Sequence, residues 1–228
     1  MTVTLITGAN KGLGFETARQ LIEHGHTVYL GARNIQRGQA ASSEVGGQFV
    51  QLDVTADTSV AAALGIIGER EGRLDVLVNN AGVSTTADVD GPEALRVFDT
   101  NAIGIIRVTQ AALPLLRKSD NPVVVNVSSA LGSFWAVTNP DRRQFHFPSI
   151  IYGASKAAVS MLTVQYAKAM PEIKVNAVEP GFTATELTPF SGAGQPVEIG
   201  AAVIVRMATI GKDGPTGTFW ENEGELAW

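Results

Sequence analysis

The sequence predicts an α/β fold, a doubly wound parallel sheet with helices on both faces. Short apolar runs alternate with helical stretches along the whole chain, the order that builds β–α–β units. The runs, such as those within "VTLIT" and "PVVVNVSS", are nearly continuous in Val, Leu and Ile rather than alternating. A strand covered on both faces needs no polar side. The first run also passes directly into a glycine-rich turn, "TGANKGLG" (Thr7–Gly14).

The elements follow in order. Val3–Thr7 reads as the first strand and Gly14–His24 as the first helix. Thr27–Ala32 and Phe49–Asp53 are the second and third strands, and an Ala-rich helix lies near Asp57–Glu71. Asp75–Gly82 carries the fourth strand, and helical sequence runs from about Pro92 to Lys118. Pro122–Ser129 is the fifth strand, Tyr152–Met170 a helix and Ile173–Gly181 the sixth strand. Val197–Thr209 is helical, and Gly217–Trp220 is a short last strand. With 228 residues, 45% of them apolar, the chain is expected to form one unit over residues 1–228 with a sizeable core. Two stretches break the rhythm: an insertion loop at about 131–150 and a short substrate loop at about 185–196. Both follow the carboxyl ends of strands, where open α/β sheets bind ligands.

Composition excludes several classes of function. Charged residues are 17% of the chain and the net charge is −5, with no basic block. Nucleic acid and anionic membranes are therefore not expected as partners. The chain has no cysteine, which excludes thiol chemistry. His24, His26 and His146 form no ligand spacing, so no metal is expected. The N-terminus enters a strand pattern directly, without a leader. No apolar run approaches the ~20 residues of a membrane span, and a cytoplasmic protein is the expectation.

The turn supplies the first chemistry. Gly8, Gly12 and Gly14 remove side chains where backbone must turn tightly and approach a ligand. The helix that follows offers free N–H groups and the positive end of its dipole, a site suited to pyrophosphate. The spacing differs from G-x-G-x-x-G, but the position marks a Rossmann-type dinucleotide site. About twenty residues on, NAD-binding folds place an acid on the ribose. Here, 19 residues past Gly14, stands Arg33. A guanidinium there can grip a 2′-phosphate, and Lys11 adds a second cation. Both point to NADP(H).

The second chemistry lies in "YGASK", where Tyr152 and Lys156 are four residues apart and share a helix face. A phenol has a pKa of ~10, too high to ionise freely at neutral pH. An ammonium beneath it, with the positive oxidised nicotinamide, is expected to favour the phenolate. Lowering the pKa by ~3 units takes ~4 kcal/mol. Tyr152 is then the acid for carbonyl reduction and the base for alcohol oxidation.

"TGANKGLG", "NNAG" (Asn79–Gly82), Asn101 of "TNAIG", Ser129 of "NVSSALG", "YGASK" and "PGFTAT" (Pro180–Thr185) occur in that order. The whole chain thereby resembles the short-chain dehydrogenase/reductase family. The resemblance implies catalytic roles for Asn101, Ser129, Tyr152 and Lys156. Ser129 would hydrogen-bond the substrate oxygen, although its neighbour Ser128 competes for that assignment. Lys156 would also hold the nicotinamide ribose, and Asn101 would position a water in a proton relay. The cofactor would further lie against Gly8, Asn10, Lys11, Gly12, Leu13, Gly14, Arg33, Asp53, Val54, Asn80, Ala81, Gly82, Pro180, Gly181, Thr183 and Thr185. Asp53 would contact adenine, or else cap a helix.

The expected activity is reduction of an aldehyde or ketone with NADPH. The alternative is a non-catalytic NADP-binding regulator or sensor on the same fold, which would be expected to lose Tyr152 or Lys156. A sugar-nucleotide epimerase would need a longer substrate domain. Two departures stand out. Tyr152 lies 23 positions after Ser129, about ten more than in most members. A longer insertion at this place is typical of the family's monomeric carbonyl reductases. Its Phe134, Trp135, Phe145, His146 and Phe147 could wall a substrate cleft, cover the catalytic helix or block a subunit contact. Both a monomer and a homo-oligomer fit the sequence. The ending "DGPTGTFWENEGELAW" also resembles carbonyl-reductase-like members.

Overall fold

The structure is a computed structural model that describes residues 1–85, 89–187 and 194–228. Its strands are β1 (Val3–Thr7), β2 (Thr27–Ala32), β3 (Gln48–Gln51), β4 (Val76–Asn79), β5 (Val123–Val127), β6 (Lys174–Val178), β7 (Phe219–Glu221) and β8 (Gly224–Glu225). They form one sheet in the order β3-β2-β1-β4-β5-β6-β7-β8. Every neighbouring pair is parallel except the β7–β8 hairpin. The direction of winding reverses between β1 and β4, which opens a crevice at their carboxyl ends.

The continuous apolar strands divide their residues between two cores, as the two-residue period of a strand requires. Leu5, Leu77 and Val124 face one layer, packed by Val60 and Ile67 of α3 (Asp57–Glu71) and by Val108 and Leu116 of α5 (Gly104–Leu116). Ile6, Val78 and Val125 face the other, against Leu21 of α1 (Gly12–Glu23) and Ile204 of α8 (Val197–Ala208). This is the Rossmann-type doubly wound arrangement, with helices on both faces.

Several elements differ from the sequence reading. Ile35–Val45 forms α2, which the sequence analysis passed over because Gly38 and two serines weaken its helical pattern. Its ends are nonetheless well marked: the Asn34 side chain accepts from Arg37 N, and Gly46 closes the helix at φ 74°. The long helix expected over 92–118 divides into α4 (Gly91–Phe98), a π-helical turn (Asp99–Ile103) and α5. Such a turn inserts a residue into the helical ladder and often marks a functional site.

The insertion at 131–150 is not a plain loop. After a 3₁₀ turn at Ala130–Gly132 it forms α6 (Phe134–Thr138) and a second 3₁₀ turn at Arg143–His146. It then joins α7 (Ile150–Ala169). The insertion lies against the C-terminal tail: Trp135 N donates to Trp228 O at 3.0 Å, and the Ser133 hydroxyl to Ala227 O at 2.7 Å. Arg142 holds Glu221 through two bonds, at 3.0 and 2.6 Å, and stacks over Trp135. Among the described residues, no helix is long and apolar enough to cross a membrane. Residues 188–193 of the expected substrate loop lie outside the described part.

Candidate active site at the carboxyl edge of the sheet

The glycine turn leaves β1 and packs on the segment that leaves β4. Gly8 has φ +65°, and a Cβ there would lie 2.9 Å from Ala81 Cα. A Cβ on Gly14 would meet Asn80 Nδ2 at 2.4 Å. Both positions must be glycine for the two segments to touch. Thr7 Oγ1 accepts from Asn80 N and Ala81 N, at 3.0 and 2.9 Å, and Asn80 Nδ2 donates back to Thr7 O and Gly8 O. Asn80 therefore fixes the turn from beneath. Helix α1 then begins at Gly12 with no side-chain cap and no acidic residue in its first turn. Unclaimed N–H groups and an unopposed dipole are the chemistry that fits a pyrophosphate.

Charges ring this end of the crevice. Asn10, Lys11, Arg37 and Glu186 line an open cavity of about 460 Å³. Lys11 forms an exposed ion pair with Glu186, so its charge is shared with the loop after β6. Arg33 is exposed beyond β2 and acts on Asp53. Asp53 lies past the end of β3 and accepts from Thr55 N and Thr55 Oγ1, at 3.0 and 2.7 Å. Those bonds, with Arg33 adding a smaller part, hold its carboxyl below the usual range. Asp53 forms a local turn and does not cap α3, whose N-cap is Ala56. Val54 is buried against Gly104. Arg37 was missed by the sequence analysis because its helix was missed.

At the other end, α7 brings Tyr152 and Lys156 beside the residues that follow β5. Lys156 is only 4% exposed, and its ammonium donates to Val127 O at 2.7 Å. It lies 5.6 Å from the Tyr152 ring centroid. Ser128 turns inward, with its hydroxyl on Lys156 O and Ser160 Oγ. Ser129, half-buried, instead accepts from Leu131 N at 3.3 Å and lies close enough to the Tyr152 phenol to lower its proton affinity. Of the two serines, Ser129 is thus the one placed beside the phenol.

Asn101 projects from the π-helical turn. Its Oδ1 accepts from Val83 N at 2.8 Å, while Nδ2 donates to Val83 O and Ser155 Oγ at 2.9 and 3.0 Å. The amide ties the β4 extension to α7. A Cβ on Gly82 would lie 3.5 Å from Asn101 Oδ1 and 3.7 Å from Lys156 Nζ, so both border the space beside Gly82.

The electrostatics of the polypeptide supply only part of what the phenolate expectation requires. Burial lifts the Tyr152 phenol well above its ordinary range, Glu179 lifts it further, and Ser129 offsets only part of this. Burial also brings the Lys156 ammonium down to about 8. The polypeptide alone therefore keeps Tyr152 protonated and does not favour the expected phenolate. Lysine in so dry a place is only weakly committed to its charge, and its nearest described hydrogen bond is to a carbonyl rather than the phenol.

The segment after β6 closes the site. Pro180 is buried, and its carbonyl accepts from Gln195 Nε2 at 2.5 Å. Thr183 is buried and donates to Pro180 O and Gly181 O, at 3.2 and 3.1 Å. Thr185 lies over the glycine turn, 3.4 Å from where a Gly12 Cβ would sit. Ser84 Oγ donates across the crevice to Leu187 O at 2.8 Å. No group of three or more His, Asp or Glu side chains among the described residues is arranged to hold a metal.

A reversed-winding sheet, a glycine turn at the crevice and a tyrosine–lysine–serine cluster beside it define an α/β oxidoreductase. The short chain dehydrogenase family profile matches residues 2–195. The chain is 36% identical to short-chain dehydrogenase/reductase ATR10 of Stachybotrys chlorohalonatus, with 97% of this chain and 88% of that protein covered. It is 32% identical to (-)-isopiperitenone reductase of Mentha piperita, over 98% and 97%. Among solved structures, NADPH-bound carbonyl reductase from chicken fatty liver matches with a TM-score of 0.85 at 27% identity, covering 100% of each chain. The chain belongs to the short-chain dehydrogenase/reductase family.

Proposed function

We propose that this protein reduces the carbonyl of an aldehyde or ketone to an alcohol with NADPH, using Tyr152 as the acid. The observation that carries this is Tyr152 over the buried Lys156, whose ammonium lies 5.6 Å from the ring centroid, in a setting that keeps the phenol protonated. An acid must hold its proton until the oxygen needs it, so the resting state suits reduction. When bound, NADPH supplies the hydride for the carbonyl carbon. Ser129 donates a hydrogen bond to the carbonyl oxygen and orients it. Tyr152 passes its proton to that oxygen as negative charge builds there. Lys156, 5.6 Å from the ring centroid, stabilises the phenolate left behind and holds the ribose. The proton returns through Lys156 and the space beside Gly82 that Asn101 borders.

The preference for NADPH rests on Arg33, with Arg37 close to the glycine turn. The NADPH in the chicken carbonyl reductase structure supports the same choice. The exposed Phe145, Phe147 and Phe182, with Arg143 over the Phe182 ring, would wall the substrate side. An apolar carbonyl compound fits such a wall better than a charged one.

The test is a panel of ketones and aldehydes with purified protein, following NADPH absorbance with NADH in parallel. Oxidation of NADPH by at least one substrate, faster than of NADH, is the expected result. Tight NADPH binding with no turnover of any compound would count against a reductase.

A further inference from the structure

Glu179 lies between Val178, the last residue of β6, and Pro180. No step above uses it, yet it is 7% exposed. Ala130 N, directly after Ser129, donates to its Oε2, and Gly181 N donates to its Oε1 at 3.1 Å. The Glu179 backbone N–H is fixed to Trp220 O at 2.7 Å. One carboxyl thus spans the turn carrying Ser129 and the Pro180–Gly181 turn. A buried carboxyl without partners would neutralise or be expelled; this one has a main-chain donor on each oxygen, which favours the anion and offsets part of the rise in proton affinity that burial imposes.

We infer that Glu179 is a positioning residue of the active site, whose buried carboxylate joins these two turns and places a fixed charge beside the Tyr152–Lys156 pair. The inference rests on the reading of those two residues as the proton-transfer pair. The charged and titratable groups facing Glu179 are Tyr152 and Lys156 from α7, Arg142 from the insertion and Glu221 from β7. Arg142 is committed to Glu221 by two bonds, which leaves Lys156 as the cation most open to Glu179. A negative charge favours ammonium over amine and phenol over phenolate. Glu179 therefore strengthens Lys156 as a cation and holds the proton on Tyr152. The first effect supports the cation that stabilises the departing phenolate; the second keeps the proton in place at rest and makes the phenol a weaker donor.

The test needs no substrate, so it stands apart from any failure to find one. Protein labelled with ¹³C at lysine Cε is titrated by NMR, with Lys156→Ala assigning the resonance. Lys156 should titrate near pH 8. In Glu179→Gln the midpoint should fall by about one unit or more, and Glu179→Asp should restore most of it. A folded Glu179→Gln protein whose Lys156 midpoint does not move would overturn the inference. Should the Gln variant not fold, ¹³C titration of the glutamate carboxyls in the unaltered protein decides. Glu179 must be ionised over the range in which Lys156 titrates, and a carboxyl still protonated there would be equally fatal. With a working ketone in hand, Glu179→Gln should displace the pH profile of kcat, which a smaller folded fraction alone would not do.

Discussion

At the Tyr152 end of the crevice the charges are few and buried: Lys156 and Glu179 are 4% and 7% exposed. At the Gly12 end they are many and open to solvent: Lys11, Arg33, Arg37 and Glu186 are all exposed. The contrast separates two tasks. In a low-dielectric site, a fixed charge moves a neighbour's proton equilibrium by units, because little solvent screens it. In water the same charge is damped within about 8–10 Å by salt. Exposed cations can therefore select and attract a phosphorylated ligand, but they cannot drive proton transfer. On the proposed reading, the proton chemistry belongs at the dry end and the recognition of charge at the wet end.

Tyr152→Phe tests the dry end most directly. Removing the hydroxyl takes away the proton donor and keeps the ring that packs near Lys156. Turnover should fall by about 10²–10⁴-fold, the usual worth of a positioned acid. NADPH affinity, measured by fluorescence titration, should be nearly unchanged. Full activity in this variant would remove the distinction between the two ends.

Arg33→Asp tests the wet end. A charged hydrogen bond contributes about 1.5–3 kcal/mol, so the preference for NADPH over NADH in kcat/KM should fall roughly 10–100-fold. The turnover number with saturating NADH should stay close to that of the unaltered protein. A preference that does not move would place the 2′-phosphate against Arg37 instead.

The insertion combines features of both environments at the Tyr152 end. Arg142, partly exposed, holds Glu221 and covers Trp135. Arg142→Ala leaves Glu221 without its partner and should cost about 1–2 kcal/mol. The measurement is urea unfolding, with a lower midpoint at constant m-value. KM for a ketone should rise more than the dissociation constant for NADPH, because the insertion flanks the substrate side and not the glycine turn.

The same contrast explains what was legible in the sequence. β1 and β2 were read with their observed ends, because a strand buried on both faces is a plain apolar run. The glycine turn was legible because Gly8 and Gly14 answer to backbone contacts that no other residue satisfies. Tyr152 and Lys156 could be placed on one face of α7 from their spacing alone. Helix α2, the π-helical turn and the hairpin partner β8 were not legible. The first is half polar, the second is a local defect in an otherwise regular helix, and the third is two residues long. Glu179 was hidden for a different reason. A glutamate before "PG" looks like any loop carboxylate until the turns after β5 and β6 are seen to donate to it. Spacing likewise gives the position of Lys156 but not its dryness.

The smallest effect is expected from the Lys11–Glu186 pair, and it bears most sharply on the comparison. The pair joins the glycine turn to the segment after β6, and both side chains are at least half exposed. An exposed pair adds little to stability, so Glu186→Gln should leave the thermal midpoint unchanged within error. Its removal does free the Lys11 charge next to the N-terminus of α1. NADPH should then bind about two- to threefold more tightly at low salt, and the gain should vanish as the ionic strength rises past about 0.15 M. The salt series checks this by titration calorimetry. A gain that persisted in high salt would mean that Lys11 works in an unscreened, dry setting like Lys156, and the division between the two ends of the crevice would no longer hold.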